Sequence, residues 1–179
     1  MIRGEKVILR AFEEEDLENC WRWVNKPEVV RNLMMRYPVS RLAERAFIER
    51  ATKPQPNDKI FAIETLEGLY VGNCGLHNIS WEDRRATFGI FIGERGQWNK
   101  GYGTDATRAL VRYGFEEMNL NRIGLRVFAD NEAAIRCYEK VGFVREGVNR
   151  QFRYREGGYV DAVVMAVLRE EYLAKKMEG

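Results

Sequence analysis

Cysteine and long apolar runs are scarce in this sequence. Its three cysteines, Cys20, Cys74 and Cys137, are odd in number and widely spaced. This spacing argues against a disulfide framework and a zinc site, and it indicates reduced thiols. No apolar stretch follows the basic N-terminus, and no segment approaches the ~18 apolar residues of a membrane span. We therefore expect a cytoplasmic protein that is neither secreted nor inserted in a membrane.

A surplus of charge is missing as well. The 29 Lys and Arg nearly balance the 27 Asp and Glu, for a net charge of +2. Neither nucleic acid nor an anionic membrane is therefore expected as an obligate partner. What the chain does have is 45% hydrophobic content over 179 residues, which suffices for one substantial core. We predict a single domain over residues 1–179.

The residue patterns predict an α+β (mixed α/β) class with one central sheet. Short alternating runs bounded by turn residues indicate its strands. These runs lie near Val7 and Leu9, over 60–65, 69–79, 86–93 and 123–129, and in a final hairpin over 143–168 that turns at Gly157-Gly158. Helical segments interrupt them, so we expect helices packed on the sheet.

Helical spacing of apolar residues predicts four helices. They begin at the acidic run Glu13 to Asp16, after the N-cap candidate Ser40, at a glycine pair near residue 101, and at Glu132, the last ending at Gly142. In the second helix we expect Leu42, Ala46 and the Phe47-Ile48 pair to form the buried face.

The most informative segment is QWNKGYGTDATRALVRYGF, residues 97–115, in which Gly101 and Gly103 stand between a strand and a helix. A helix N-terminus presents unpaired N–H groups, and glycines let phosphate oxygens approach the backbone. The third glycine of the dinucleotide fingerprint and the Gly-Lys-Ser/Thr of the nucleoside triphosphate loop are both absent. Taken alone, the segment predicts either a phosphate cradle or a plain turn.

A second segment, VFADNEAAIRCYEKVGF, residues 127–143, also runs from strand into helix. Asn131 lies at the junction and Tyr138 two turns further on. Taken alone, Asn131 is a helix cap and Tyr138 belongs to a buried helix face. A phenol of pKa ~10 could also donate its proton to a departing thiolate, so both roles for Tyr138 stay open.

Together these segments resemble the GNAT superfamily of N-acetyltransferases, in particular its ribosomal-protein and spermidine acetyltransferase-like branch. That branch carries W-G-K-G-Y-(A/G)-T-(E/D)-A and, later, (D/E)-N-x-x-(A/S)-x-x-x-Y-x-K-x-G-F. The first pattern is matched by Trp98, Lys100, Gly101, Tyr102, Gly103, Thr104, Asp105 and Ala106, and the second by Asn131, Ala134, Tyr138, Lys140, Gly142 and Phe143. The likeness covers nearly the whole chain, although Asn99 replaces the glycine of the first pattern.

The resemblance implies a twisted mixed sheet of about seven strands with about four helices. It implies acetyl-CoA as co-substrate, no metal, and direct acetyl transfer to a primary amine. It also implies the cofactor-binding residues: the pantetheine arm at Ile90, Phe91 and Ile92, the pyrophosphate on the backbone of Trp98, Asn99, Lys100, Gly101, Tyr102, Gly103 and Thr104, and Asn131 and Tyr138 beside them. Tyr138 is the implied general acid.

The general base departs from the family pattern. Many relatives carry Arg-Ala-Glu on the fourth strand, whereas this chain has Arg85, Ala86 and Thr87. His77, the only histidine, lies on the neighbouring predicted strand, and an imidazole of pKa ~6.5 suits proton removal. A lone histidine can equally be structural. His77 and a water chain that ends on backbone carbonyls are therefore alternative routes for the amine proton.

The resemblance leaves the acceptor open. Residues 30–41, VRNLMMRYPVSR, hold three arginines and no acid, which would repel a polycation. At pH 7 an amine of pKa ~10.4 costs about 4.6 kcal/mol to deprotonate and one of pKa ~8 only about 1 kcal/mol. A weak base therefore favours a peptide or protein N-terminal α-amine. The alternatives are a small-molecule or polyamine acceptor of the spermidine type and, from another class, a non-catalytic acyl-CoA-binding sensor.

Three further points stay open at this stage. A covalent route through Cys137 is disfavoured because no histidine neighbours it in sequence. The basic residues Arg150, Arg153 and Arg155 of the final hairpin either form a solvated face or meet an acidic acceptor or RNA. Assembly into a homo-oligomer such as a dimer is compatible with the resemblance.

Overall fold

The computed structural model describes residues 1–178 and consists of one eight-stranded sheet with six helices. The strands are β1 (Ile2–Arg3), β2 (Val7–Arg10), β3 (Lys59–Thr65), β4 (Tyr70–Ser80), β5 (Arg85–Ile92), β6 (Arg122–Phe128), β7 (Val144–Arg155) and β8 (Gly158–Leu168). The helices are α1 (Asp16–Trp23), α2 (Pro27–Val30), α3 (Arg41–Thr52), α4 (Tyr102–Glu116), α5 (Glu132–Val141) and α6 (Arg169–Glu178), with a 3-10 turn over Arg95–Gln97.

The predicted α+β class is confirmed, with more elements than expected. The additional ones are the two-residue β1, the single-turn α2 and the C-terminal α6. Each of these is short or strongly polar, so its periodicity is weak in the sequence. No helix within residues 1–178 is long and apolar enough to cross a membrane.

The sheet is mixed because one pair of strands is parallel. Its order is β1-β2-β3-β4-β5-β6-β8-β7, and every neighbouring pair is antiparallel except β5 and β6. The parallel pairing is short, since it runs only from Arg85 with Arg122 to Thr87 with Gly124. Strand β5 continues to Ile92. The two strands therefore separate after Thr87, and the sheet opens into a split.

Each face of the sheet carries its own hydrophobic cluster. The larger cluster packs α4 and α5 on one face through Leu110, Phe115, Ile135 and Tyr138. The smaller one packs α1 and α3 on the other face, around residues such as Trp23. Alternate residues of β5 point to opposite faces, so the split is reached from both sides.

Helix α3 corrects one prediction. Ser40 is its N-cap, because its Oγ accepts a hydrogen bond from the Ala43 N–H at 3.0 Å. The expected buried face is wrong in part: Leu42 is 78% exposed and Ala46 is exposed as well. Glu44 is buried in its place, at 5% exposure. Glu44 lies three and four residues before Phe47 and Ile48, on the same face of the helix, where its carboxylate contacts the Cys20 thiol. Its polar side chain gives no hydrophobic signal in the sequence.

Candidate active site

The split between β5 and β6 leaves one edge of β5 without a strand neighbour. From Phe88 to Ile92 no residue of β6 pairs with it within the described chain. The predicted residues Ile90, Phe91 and Ile92 lie on this segment. Its backbone amide groups are therefore available to an extended amide-containing ligand, as at any open sheet edge.

The glycine-rich turn forms a nest of backbone donors at the N-terminus of α4. Asn99 and Gly101 both have positive φ angles, 61° and 87°, and Asn is one of the few side chains that tolerate this region. Within residues 1–178 the N–H groups of 99–104 donate no hydrogen bond. Consecutive free N–H groups at a helix N-terminus attract anions through the nest and the helix dipole. Asn99 is thus compatible with a cradle.

Two contacts fix this cradle to the rest of the sheet. The Trp98 indole Nε1 donates to the Ile92 carbonyl at 2.8 Å, which links the turn to the end of β5. Asp105, in the first turn of α4, is buried and accepts hydrogen bonds from the N–H groups of Glu5, Lys6 and Val7 at 3.1, 2.7 and 3.0 Å. The turn between β1 and β2 is thereby held against the cradle.

Lys6 is a basic residue of the cradle that the sequence analysis missed. Its Nζ donates to the Lys100 carbonyl at 3.2 Å and lies 3.3 Å from where a Cβ on Gly101 would stand. Lys100 is the second ammonium here, bound to Gln97 Oε1 at 2.9 Å. Lys6 comes from almost 100 residues away in the chain, so only the folded sheet brings it to the turn.

Tyr138 lies against the split on the α5 side. Its ring packs against Phe88 and Phe143 at centroid distances of 6.0 and 5.8 Å, and burial raises the pKa of its phenol. The side chain is 8% exposed. No buried polar side-chain atom within residues 1–178 lacks a hydrogen-bond partner, and its hydroxyl forms no hydrogen bond there. The hydroxyl therefore reaches solvent and remains protonated at neutral pH.

Helix α5 contacts the first turn of α4 through Cys137. The Asn131 side chain caps the helix by accepting from the Ala134 N–H at 3.3 Å. Thr104 Oγ1 lies 3.2 Å from Cys137 Sγ, so these two groups join α4 to α5. The residues predicted at the cofactor site thus lie on the open segment of β5, on the turn and first residues of α4, and on α5 with its cap. Their role in cofactor binding stays a prediction.

His77 lies on the opposite face of the sheet from Tyr138. Its Nδ1 is 3.2 Å from Asp58 Oδ1, and its ring covers the cross-strand pair Gly75 and Gly89, where an added Cβ would meet Nε2 at 2.8 and 3.6 Å. In the β4–β5 register His77 is directly opposite Thr87, the position at which the family resemblance implies a glutamate. Side chains directly opposite each other have Cβ atoms about 5 Å apart, so His77 reaches the same space.

A cavity of about 350 Å³ opens beside His77, between the sheet and helices α1 and α3. Its walls are largely apolar and include the loop residues Leu33, Met34 and Met35, and its floor includes Ile90 and Phe91 of β5. Glu44 also lines it. The cavity therefore meets the split in the sheet at the point where β5 leaves β6.

Glu44 is held inside a buried polar chain. Cys20 Sγ lies 2.7 Å from Glu44 Oε1, Asn73 Nδ2 lies 3.1 Å from Cys20 Sγ, and the Tyr70 hydroxyl donates to Asn73 Oδ1 at 2.6 Å. Burial raises the pKa of the Glu44 carboxyl, and the thiol contact opposes this shift only in part. No cationic side chain of the described residues forms an ion pair with Glu44. A cation that entered the cavity would be its counterion.

Metal-ion chemistry has no candidate centre in the described part of the chain. No group of three or more His, Cys, Asp or Glu side chains within residues 1–178 is arranged to hold a metal ion.

Comparison with known proteins identifies the class to which this fold and site belong. The chain matches the Acetyltransferase (GNAT) domain family over residues 6–144, and it belongs to that family. The N-acetyltransferase p20 of Bacillus licheniformis, itself uncharacterized, is 31% identical over 172 residues, which cover 94% of this chain and 96% of p20.

Two further relatives are spermidine acetyltransferases. The spermidine N(1)-acetyltransferase of Escherichia coli K12 is 31% identical over 175 residues, covering 98% of this chain and 92% of that protein. The crystal structure of the spermidine N-acetyltransferase from Vibrio cholerae, in complex with CoA and spermine, superimposes with a TM-score of 0.86 at 26% identity. The superposition covers 93% of this chain and 98% of that one. The protein is therefore an N-acetyltransferase that uses acetyl-CoA as acetyl donor.

Proposed function

We propose that the protein acetylates a small aliphatic amine with more than one ammonium group, of the spermidine type. The observation that carries this proposal is Glu44, a buried carboxylate in the cavity beside the split that has no cationic partner among the described residues. An ammonium on Glu44 would offset the cost of burying that charge, while the apolar walls accommodate a methylene chain. The spermidine acetyltransferases among the relatives support the same acceptor class.

The expected N-terminal α-amine acceptor is not confirmed, and the argument against a polycation loses its basis. Two of the three arginines in residues 30–41 are ion-paired: Arg31 with Glu156 at 3.2 Å and Arg41 with Glu18 at 2.9 Å. The carboxylate that matters, Glu44, lies just beyond that segment in α3. The formal charge of residues 30–41 is therefore a poor measure of the charge inside the cavity that this segment borders.

The donor site that we propose uses the cofactor residues expected from sequence. The open edge of β5 at Ile90, Phe91 and Ile92 would bind the amide-containing pantetheine arm, and the nest over residues 99–104 would bind the pyrophosphate. Lys6 and Lys100 would add positive charge beside it. When bound, acetyl-CoA supplies an activated acetyl group as a thioester. Thr104, at the end of the nest and in contact with Cys137 of α5, and Asn131, the cap of α5, would complete the wall of the donor site.

The two catalytic groups lie on opposite faces of the sheet. We assign to Tyr138, on the α5 face, the protonation of the departing thiolate. We assign to His77, oriented by Asp58 on the cavity face, the removal of the amine proton. An amine that attacks a carbonyl and the thiolate that leaves it occupy different sides of the reacting carbon, so a base and an acid on opposite faces suit direct transfer. The Cys137 thiol contacts Thr104 Oγ1 of α4 and takes no part in the acetyl transfer that we propose.

Replacing Gly101 by valine is expected to weaken CoA binding at least tenfold, about 1.4 kcal/mol. The φ of 87° disfavours a β-branched residue, and an added Cβ would stand 3.3 Å from Lys6 Nζ, above the free N–H groups. Isothermal titration calorimetry with CoA measures the effect. Gly68→Val is the matched control, since Gly68 has a φ of 84° in open space at the distant β3–β4 turn. Equal CoA affinities for the two folded variants would contradict the proposed cradle.

Replacing Glu44 by glutamine is expected to raise KM for spermidine about tenfold, the size expected when one charge-assisted hydrogen bond becomes neutral. The KM for acetyl-CoA should not change. Because burial raises the pKa of Glu44, the folded state binds its proton more tightly and loses stability as pH rises. Glu44→Gln should therefore unfold at no lower temperature than wild type at pH 8. A variant that folds and retains the wild-type KM for spermidine would remove Glu44 from recognition.

A further inference from the structure

The wall of the acceptor cavity is a segment with almost no hydrogen bonds of its own. Its two ends are fixed: the Leu33 N–H donates to the Val30 carbonyl at 2.9 Å, and the Val39 N–H donates to Asn25 Oδ1 at 2.9 Å. Between them, within the described chain, no backbone N–H of residues 34–38 donates a hydrogen bond. Met34 and Met35 of this segment line the cavity. Something outside the segment must hold them in position.

That external support is Arg153 of the β7–β8 hairpin. Its guanidinium donates from Nη1 to the Met34 carbonyl at 3.0 Å and from Nη2 to the Met35 carbonyl at 2.5 Å. These are the only hydrogen bonds to the backbone of residues 34–38 in the part of the chain that the structure describes. A planar guanidinium suits two consecutive carbonyls because its donors have a fixed spacing.

Arg155 provides a second link to the same loop. Its guanidinium donates to the Arg31 carbonyl at 2.5 Å, just before the segment, and forms an ion pair with Asp130. It also lies 4.9 Å above the Phe128 ring at the end of β6. Asp130 precedes Asn131, the cap of α5. The loop that borders the acceptor cavity is thus tied to the strand and helix on which Tyr138 is built.

An irregularity in β7 is what brings Arg153 to the loop. Four residue steps from Asn149 to Arg153 face two steps from Ala162 to Val160 on β8. The extra residues include Gln151, with a φ of 50°, whose N–H donates to Asp161 Oδ1 at 2.7 Å. Bulges of this kind bend an edge strand and redirect its side chains. The bend turns the far half of the hairpin toward residues 31–35.

We propose that Arg153 is a positioning residue for the amine acceptor: it holds Met34 and Met35 as the wall of the cavity and so sets the affinity for the acceptor without touching the acetyl group. This inference rests on the proposed acceptor cavity. It assigns the basic residues of the hairpin neither to RNA nor to an acidic acceptor. Arg153 acts by donating hydrogen bonds to the carbonyls of Met34 and Met35. A charged group on the ligand cannot take over this role.

The test compares Arg153→Ala with Arg150→Ala in steady-state kinetics with spermidine and acetyl-CoA. Both variants remove one positive charge from β7, and Arg150 is exposed and forms no hydrogen bond or ion pair within residues 1–178. For Arg153→Ala we expect KM for spermidine to rise at least fivefold, with kcat and the calorimetric Kd for CoA within twofold of wild type. Arg150→Ala should resemble wild type. Arg153→Lys should lie between, because one ammonium can reach one carbonyl but cannot reproduce the fork.

Two results would overturn the inference. One is an equal change in Arg153→Ala and Arg150→Ala, which would reduce the effect to surface charge. The other is a parallel loss of CoA binding and kcat in Arg153→Ala, which would indicate general destabilisation. Hydrogen–deuterium exchange provides a readout that needs no turnover: the hydrogen-bonded N–H groups at the two ends of the segment, those of Leu33 and Val39, should exchange faster relative to the sheet in Arg153→Ala alone. If wild type acetylates no small amine at all, the proposed function fails, whereas the exchange result still decides what Arg153 does.

Discussion

Tyr138→Phe is expected to lower kcat by about 10²-fold, the lower end of what a positioned general acid contributes. The phenol ring packs against Phe88 at the split in the sheet, and its hydroxyl reaches solvent rather than a protein acceptor. Because burial raises its pKa, the group carries its proton throughout the neutral range. Phenylalanine preserves the packing of the ring and removes only the hydroxyl group, and with it the proton to be donated. Rapid-mixing and steady-state assays of CoA release measure the loss.

The same variant should retain its fold and its CoA affinity, since the ring and not the hydroxyl fills the core. Tyr113→Phe is the matched control: Tyr113 is a half-buried tyrosine of α4 whose ring contacts Phe61 at 5.9 Å, away from the split. Its loss of a hydroxyl should leave kcat unchanged. Wild-type turnover in Tyr138→Phe would return this residue to a packing role and leave the thiolate to be protonated by solvent.

His77→Gln is expected to lower kcat/KM for spermidine by about 10²-fold, as expected for a lost general base. His77 lies opposite Thr87, where the family resemblance implies a glutamate, and its Nδ1 lies 3.2 Å from Asp58 Oδ1. Glutamine keeps much of the volume over Gly75 and Gly89 but cannot accept a proton at neutral pH. Asp58→Asn should give a smaller loss, because it removes the orientation of the ring and not the ring itself.

The dependence on amine basicity separates a base from a structural histidine. An amine of pKa ~8 is about one-tenth neutral at pH 7, whereas one of pKa ~10.4 is almost wholly protonated. The loss in His77→Gln should therefore shrink as the acceptor pKa falls across a series of primary amines. A loss that is equal for all amines would indicate damage to the cavity. No loss for any amine would favour a water chain as the proton route.

The sequence predicts the secondary structure around the proposed cofactor site well. Helix α5 spans Glu132–Val141 as expected from Asn131 and Gly142, and the glycine turn lies at the start of α4. These features are local: a cap, a stop and a positive φ are encoded by neighbouring residues. Only the family resemblance singles out Ile90, Phe91 and Ile92 in the sequence. The residues of β5 themselves do not indicate that one edge of the strand is open.

The acceptor side depends on contacts between distant residues, and there the sequence is less informative. Lys6 reaches the cradle only because Asp105 binds the turn between β1 and β2. Glu44 shares the buried face of α3 with Ile48, although a charged residue type indicates exposure, and Arg153 binds a loop 118 residues away. Such pairings have no local signal. The unconfirmed argument against a polycation has the same origin, since the ion-pair partners of Arg31 and Arg41 come from other elements.

The most direct test of the account is an acceptor panel for the wild-type protein at pH 7, with CoA release measured for spermidine, spermine, short diamines, matched monoamines and short peptides with free N-termini. If Glu44 is the counterion of a second ammonium group, spermidine or a diamine should give the highest kcat/KM. This value should be at least tenfold above that of the monoamine of equal chain length and above that of every peptide. A peptide N-terminus emerging as the best acceptor, with diamines no better than monoamines, would contradict it.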